Sequence, residues 1–168
     1  MCNKKYGLTA VTKTLHSGEV LYRIRALKSF GNVKKGDFGG WVETEKNLSQ
    51  EGNCWIAHEA QALGRGQVRD FAQLSDRAEI SGSAIIGDHA QLSGHAQLSD
   101  RAAALDYAQV SGSAQASGQV QVLGWTQLSG NAQLSGNAEI SGRYDAFRAF
   151  RNYWTRTFCF FKGENQNV

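Results

Sequence analysis

Proline is absent from this 168-residue chain. Because proline alone lacks a backbone N–H, its absence leaves every amide free to enter a long hydrogen-bonded ladder. Long apolar runs are also missing: none approaches a membrane span. The first 20 residues lack the apolar stretch of a secretory leader. Cys2, Cys54 and Cys159 are few, odd in number and scattered, which points to reduced thiols in a cytoplasmic protein rather than a disulfide framework. Charge is sparse, with a net value of +3, but unevenly placed. Residues 1–53 carry nine Lys/Arg and five Asp/Glu, residues 54–141 four and eight, residues 142–168 five and two. A basic head, an acidic middle and a basic tail predict three regions. The middle is too weakly acidic to mimic DNA and the ends too thinly basic to hold it, so nucleic acid is not an expected partner.

Glycine is plentiful, at 19 residues, and much of it falls in a six-residue repeat. Cut in sixes from Cys54, the chain runs through fifteen repeats to Arg143 without an insertion. The first slot is mostly alanine, the second mostly Gln, the third aliphatic; the fifth is Gly or Asp in every repeat from Gly64 onward. Small–Gln–aliphatic is a two-residue alternation, so the first and third side chains share an inner face while Gln points out. Gly and Asp then admit the left-handed backbone that a tight corner needs. One such strand buries nothing alone, but stacked strands bury a continuous apolar column, and outward Gln residues can form amide ladders.

The run Leu128-Ser129-Gly130-Asn131-Ala132-Gln133 resembles the hexapeptide repeat of left-handed parallel β-helices. That resemblance implies an all-β solenoid over 54–142 with three hexapeptides to each triangular coil, hence about five coils. The left hand is implied by the resemblance alone, since general crossover rules favour the right. Upstream, Gly36-Asp37-Phe38-Gly39-Gly40-Trp41-Val42-Glu43, with Asn47-Leu48-Ser49 and Gly52-Asn53-Cys54-Trp55, is similar to phage and prophage proteins. In those a short N-terminal module feeds a hexapeptide solenoid, which implies a bacterial or viral cytoplasmic setting.

Eighteen residues per coil would place side chains eighteen apart in one file. The sixth slot then sorts into Glu59, Arg77, His95, Ser113 and Asn131; Arg65, Ser83, Arg101, Gln119 and Asn137; and Phe71, His89, Tyr107, Trp125 and Arg143. Every aromatic ring of the slot falls in the last file, which two or four hexapeptides per coil would not produce. The same edge departs from the pattern elsewhere: Ile85 and Ala103 replace the outward Gln, and Leu105 and Leu123 stand where Ser is usual. An aromatic ridge beside an exposed apolar strip is therefore predicted, with Phe71, Ile85, His89, Leu105, Tyr107, Leu123 and Trp125 as candidate partner-binding residues. Its occupant could be the chain's own C-terminus, the other protomers of a homo-oligomer (trimer or dimer), or a foreign protein. Asp70, Asp88 and Asp106 begin that corner; each is expected to cap its own turn rather than to hold a cation.

Residues 1–53 read as a β-rich capping module. Val20, Tyr22, Ile24 and Ala26 alternate with Leu21, Arg23, Arg25 and Leu27, as in a half-buried strand, and Gly39-Gly40 marks a turn. In the tail, Phe147, Phe150, Trp154, Phe158 and Phe161 follow helical spacing, with Arg148, Arg151 and Arg156 off the stripe. An amphipathic helix over 143–162 and a disordered end over 163–168 are predicted. The stripe could close the last coil, dock on the ridge or bundle with neighbouring chains as an oligomerisation element; a membrane surface is not the expected partner.

The repeat also resembles that of acetyl-CoA-dependent acyltransferases and of a zinc carbonic anhydrase. The first resemblance implies a histidine general base and an acyl carrier held in a groove between neighbouring solenoids. His89 is the candidate base, with Asp88 placed to orient it, but no loop interrupts the repeats to carry substrate contacts. A zinc site needs three convergent ligands, and His89 and His95 fall on different corners with no third histidine near them. No metal or cofactor is expected. The sequence thus reads as a non-enzymatic binding protein with a host protein as partner; inhibition of a host defence system would suit a phage setting. The alternatives are an acyltransferase with His89 as base and a structural unit that assembles through stacked ends.

Overall fold

A computed structural model describes residues 4–142 and the backbone of the strand Asp145–Ala146. Most small–Gln–aliphatic triplets form two-residue strands, with Gln or its replacement outward, Trp55 excepted, and the aliphatic residue buried as far as Leu128. The first sheet of the prism stacks Gln61–Ala62, Glu79–Ile80, Gln97–Leu98, Gln115–Ala116 and Gln133–Leu134 in parallel. The second runs from Trp55–Ile56 to Asp145–Ala146, and the third from Gln67–Val68 to Glu139–Gly142. Partners differ by eighteen residues, as in Gln91 opposite Gln73 and Gln109. The chain is a parallel β-solenoid with three hexapeptides per coil.

One offset recurs in the hydrogen bonds between coils. Gln91 N–H donates to Ala108 O at 2.9 Å, Ser93 to Val110 at 2.9 Å and His95 to Gly112 at 2.7 Å, so second, fourth and sixth slots each reach seventeen residues ahead. Inside, Ala60, Ala62, Ala72, Leu74, Ala78 and Ile80 begin a fully buried column that continues to Val122. Outside, Gln115 Nε2 donates to Gln97 Oε1 at 3.1 Å and Gln61 Nε2 to Glu79 Oε2 at 2.6 Å, which are rungs of the predicted amide ladder.

The structure adds a coil to the five that the repeats supply, giving about six. Strand β1 (Tyr6–Thr14) and strand β2 (Val20–Ala26) form an antiparallel hairpin; β2 pairs with β3 (Phe38–Val42), and β3 joins the first sheet in parallel. Leu48 bridges Val68 in the third sheet, so β3 and Leu48 supply two further sides ahead of Trp55–Ile56, and Asp145–Ala146 supplies a third at the far end. Trp41 pairs with Gln61 and Leu48 with Val68, twenty residues on instead of eighteen. Two extra residues between Leu48 and Trp55 break the phase there, so an alignment in sixes from Cys54 misses the two sides ahead of it. A 3-10 turn, Glu45–Asn47, fills one corner, and Asn47 Nδ2 donates to Gly64 O and Gly66 O at 3.1 and 2.9 Å.

Two details of the head differ from expectation. Leu21, Ile24 and Ala26 are the buried residues of β2 while Val20 is exposed, because the pairing with β3 shifts register between Arg23 and Arg25 and resets the alternation. Gly39 and Gly40 lie inside β3, not in a turn; a Cβ would sit 2.6 Å from Ile24 Cγ1 at Gly39 and 2.3 Å from Ala60 O at Gly40, so close packing demands them. At the other end, Asp145 and Ala146 pair with Gln127 and Leu128 where the tail helix was expected to begin. They are the second and third slots of a further repeat. The remaining tail residues, including Phe147, Phe150, Trp154, Phe158 and Phe161, lie outside the described residues, as does the segment 163–168.

All fifteen fifth-slot residues from His58 to Gly142 have positive φ. At Gly118 (φ +78) a Cβ would also lie 2.6 Å from Gly136 O in the next coil, whereas Gly18 in the hairpin turn (φ +100) has nothing within 4 Å. Gly118→Ala is expected to cost more than the roughly 1–2 kcal/mol of left-handed strain, and Gly18→Ala about that strain alone. Equal losses in urea unfolding would contradict the close stacking of corners.

Candidate functional site

The corner that follows the third sheet carries the aromatic file. Phe71, His89, Tyr107 and Trp125 stack face to face, with ring centroids 4.8, 4.9 and 4.1 Å apart and interplanar angles of 5, 14 and 2°. The eighteen-residue period brings them together, as the sequence predicted. Their faces cover one another, leaving their edges in solvent: Phe71, Tyr107 and Trp125 are 47, 42 and 59% exposed. Each such pair contributes about 0.5–1.5 kcal/mol beyond its area burial.

Ile85, Leu105 and Leu123 lie along the same edge but are half-buried, not exposed. Fourth-slot side chains fold over the corner: a Cβ at Gly87 would lie 3.1 Å from both Leu105 Cδ2 and Arg69 Nε, so those two close over the glycine. The edge is a row of rings flanked by a shallow aliphatic bed.

The aspartates do something other than cap their own turns. Asp70 Oδ2 accepts from Asp88 N at 3.3 Å, Asp88 Oδ2 from Asp106 N at 3.2 Å, and Asp106 Oδ2 from Gly124 N at 2.8 Å. Each carboxylate therefore bonds the amide one coil on. Asp76 and Asp100 repeat the contact at the other corners, with Gly94 N and Gly118 N at 3.0 and 2.9 Å. Repulsion between exposed carboxylates one coil apart costs about 1 kcal/mol in water, close to the ~1 kcal/mol that one hydrogen bond contributes. Among the described residues no group of three His, Cys, Asp or Glu could hold a metal.

His89 is sandwiched between Phe71 and Tyr107, so both faces of the imidazole are covered. Asp88, expected to orient it, spends its Oδ2 on Asp106 N. Among the described residues no group hydrogen-bonds the His89 imidazole. His58 sits on a different corner, where its Nδ1 accepts from Asp76 N at 3.2 Å. Asp76 Oδ1 lies 3.6 Å from that nitrogen.

The sequence reading missed Lys5. Its side chain is 1% exposed, and Nζ donates to Glu51 O and Cys54 O at 3.1 Å each, with Gly52 O at 3.4 Å, Cys54 Sγ at 3.2 Å and the Phe30 ring centroid at 5.1 Å. The ladder explains why. Ala72 O accepts from Trp55 N in the preceding coil; Cys54 O holds the equivalent place one coil earlier, and Lys5 supplies its donor. Burial pushes the Lys5 ammonium below its ordinary value, partly offset by Cys54, and pushes the Cys54 thiol up. In sequence, Lys4-Lys5 before a strand looks like a solvated pair; only the coil end reveals the need for a donor. Nearby, Trp41 Nε1 donates to Glu59 Oε2 at 2.9 Å and Arg23 pairs with Glu59 Oε1 at 3.0 Å; the Trp41 bond first, then Arg23, lower the Glu59 pKa.

No family model matches the chain. A stretch of 47 residues is 43% identical to part of "Uncharacterized acetyltransferase YdcK" of Escherichia coli, covering 28% of this chain and 14% of that protein. No helix among the described residues is long and apolar enough to cross a membrane.

Two measurements check this geometry. Tyr107→Ala removes two stacking contacts and is expected to lower stability by about 1–3 kcal/mol in thermal or urea unfolding, with Gln109→Ala near neutral. For Lys5, the unfolded value of 10.5 exceeds the folded one. Between them the unfolded chain binds more protons, so stability rises with pH. Cys54 opposes this only above its ordinary 9.0. Unfolding free energy should rise with pH between the folded and unfolded Lys5 values, and the slope should flatten in Lys5→Met, with a residue from Lys13, which burial also pushes down.

Proposed function

We propose that this protein is a non-catalytic docking scaffold whose aromatic edge binds a protein partner. The observation that carries this reading is the four-ring stack itself. It is unbroken, its edges are exposed, and the one candidate base has both faces covered and no orienting group among the described residues. A rigid ribbon of ring edges beside half-buried Ile85, Leu105 and Leu123 suits a flat, largely apolar protein surface, because contiguous apolar surface marks interaction sites. If the resemblance of Gly36–Glu43 and its flanking runs to phage and prophage proteins holds, the partner is a host protein and the purpose is inhibition of a host defence component.

A second reading, acyl transfer from acetyl-CoA with His89 as base, is favoured by the 47-residue similarity to the acetyltransferase. It would need a second solenoid to build the carrier groove.

The two readings part in one experiment. Wild type, Tyr107→Ala/Trp125→Ala and His89→Asn are used as baits in a bacterial lysate and assayed in parallel for acetyl-CoA-dependent acyl release. Docking expects a specific protein retained by wild type and lost from the double variant, with no acyl release from any. Acyl release by wild type that collapses in His89→Asn would replace the docking reading with the catalytic one.

A further inference from the structure

One face of the prism is unlike the other two. The outward residues of the first sheet run Gln61, Glu79, Gln97, Gln115 and Gln133, and those of the second Gln73, Gln91, Gln109 and Gln127. Those of the third run Gln67, Ile85, Ala103, Gln121 and Glu139. Two adjacent rungs in the middle of the third sheet thus turn apolar side chains outward, and both are partly exposed. The coil itself does not need them there, since Gln fills the same slot on the neighbouring sheets. Contiguous apolar residues in an outward slot serve a surface that covers them.

We propose that the third sheet packs face to face against the third sheet of a second copy, with the two solenoids antiparallel. Three observations on the described residues select this occupant. The first is size. Gln67–Ile85–Ala103–Gln121 is symmetric in polarity but not in volume. A two-fold axis between the rungs of Ile85 and Ala103 sets each Ile85 against the other copy's Ala103, and each Gln67 against the other copy's Gln121. Large meets small, as close packing requires, and amide meets amide. Parallel solenoids would set Ile85 on Ile85 and leave a gap between two alanines. The second is charge. The same axis carries the rung of Glu139 to the rung of Leu48, which lies one coil before Gln67–Val68. Lys46 stands beside Leu48 in the 3-10 turn, and both Lys46 and Glu139 are exposed. Opposite charges therefore meet at both ends of the contact, where parallel solenoids would put like on like. The third is area. Rungs about 4.8 Å apart and a side of at most about 20 Å bury on the order of 1,000 Å² in total, at the low end of specific interfaces, so the pair forms reversibly. The inference goes beyond the docking reading: the aromatic corners of the two copies come to lie on the same side of the pair, which doubles the file of rings.

The test is sedimentation of the full chain over a range of concentrations, for wild type, Ile85→Lys and Gln91→Lys, with circular dichroism to report that each is folded. Wild type should pass from monomer to dimer as concentration rises. Ile85→Lys should raise the dissociation constant about tenfold or more, because it buries an unpaired charge. Gln91→Lys, the same charge in the outward slot of the second sheet, should leave that constant unchanged. Orientation is read with a short bismaleimide in a Cys2→Ser/Cys159→Ser background. An equal mixture of Gln67→Cys and Gln121→Cys should cross-link into a dimer that neither variant forms alone. Wild type that stays monomeric at every concentration overturns the proposal, as does a dimer that Ile85→Lys leaves intact. Cross-linking of Gln67→Cys with itself overturns it too, since that makes the pair parallel. Retention of a partner from lysate is measured separately, so each of these failures leaves the docking reading standing.

Discussion

Each N–H of the second, fourth and sixth slots reaches a carbonyl seventeen residues ahead, and that single offset decides what every side chain meets. Like stacks on like. Alanine lies over alanine and aliphatic over aliphatic, so the core is a column of repeated contacts. Amide lies over amide, as in Gln97 and Gln115. Left-handed corner lies over left-handed corner, close enough at Gly118 that a Cβ would lie 2.6 Å from the Gly136 carbonyl oxygen. The aspartate contacts follow from the same rule: a fifth-slot carboxylate lies beneath the amide of the next fifth slot, as Asp106 does beneath Gly124.

Most of the fold was legible because a strict period is a strong signal. The three files of the sixth slot identified the coil size and gathered Phe71, His89, Tyr107 and Trp125 before any coordinates. What was hidden has identifiable physical causes. The two additional residues between Leu48 and Trp55 concealed the first two sides, since a pattern search tolerates no change of phase. The register shift at Arg23 moved burial from Val20 to Leu21, and alternation alone cannot foresee a bulge. Gly39-Gly40 looked like a turn because close backbone approach leaves the same letters as a tight bend. Leu105 and Leu123 looked exposed because their slot is normally Ser; that Leu105 would fold over the corner depends on Gly87 one coil away.

The candidate site shows how stacking and chemistry compete. A histidine within a stack gains contacts on both faces, worth about 0.5–1.5 kcal/mol for each aromatic pair, but loses the freedom to present a lone pair in a chosen direction. Catalysis by an imidazole needs the opposite arrangement, with one nitrogen anchored and the other aimed. At His89 the described residues supply ring contacts on both faces and no anchor for either nitrogen. Lys5 makes a related point at the coil end, where a backbone carbonyl row that has run out of partners is met by an ammonium drawn from far back in the sequence.

A coil touches only its immediate neighbours, so stability in such a rod is close to a sum of local terms. Duplicating or deleting one eighteen-residue unit would leave both termini and every remaining contact type unchanged. The aromatic edge could therefore lengthen or shorten by one ring at a time, in increments of about 4.8 Å, while the head stays as it is. Unequal recombination between near-identical repeats could make such changes, a route that a fold of unlike elements does not have.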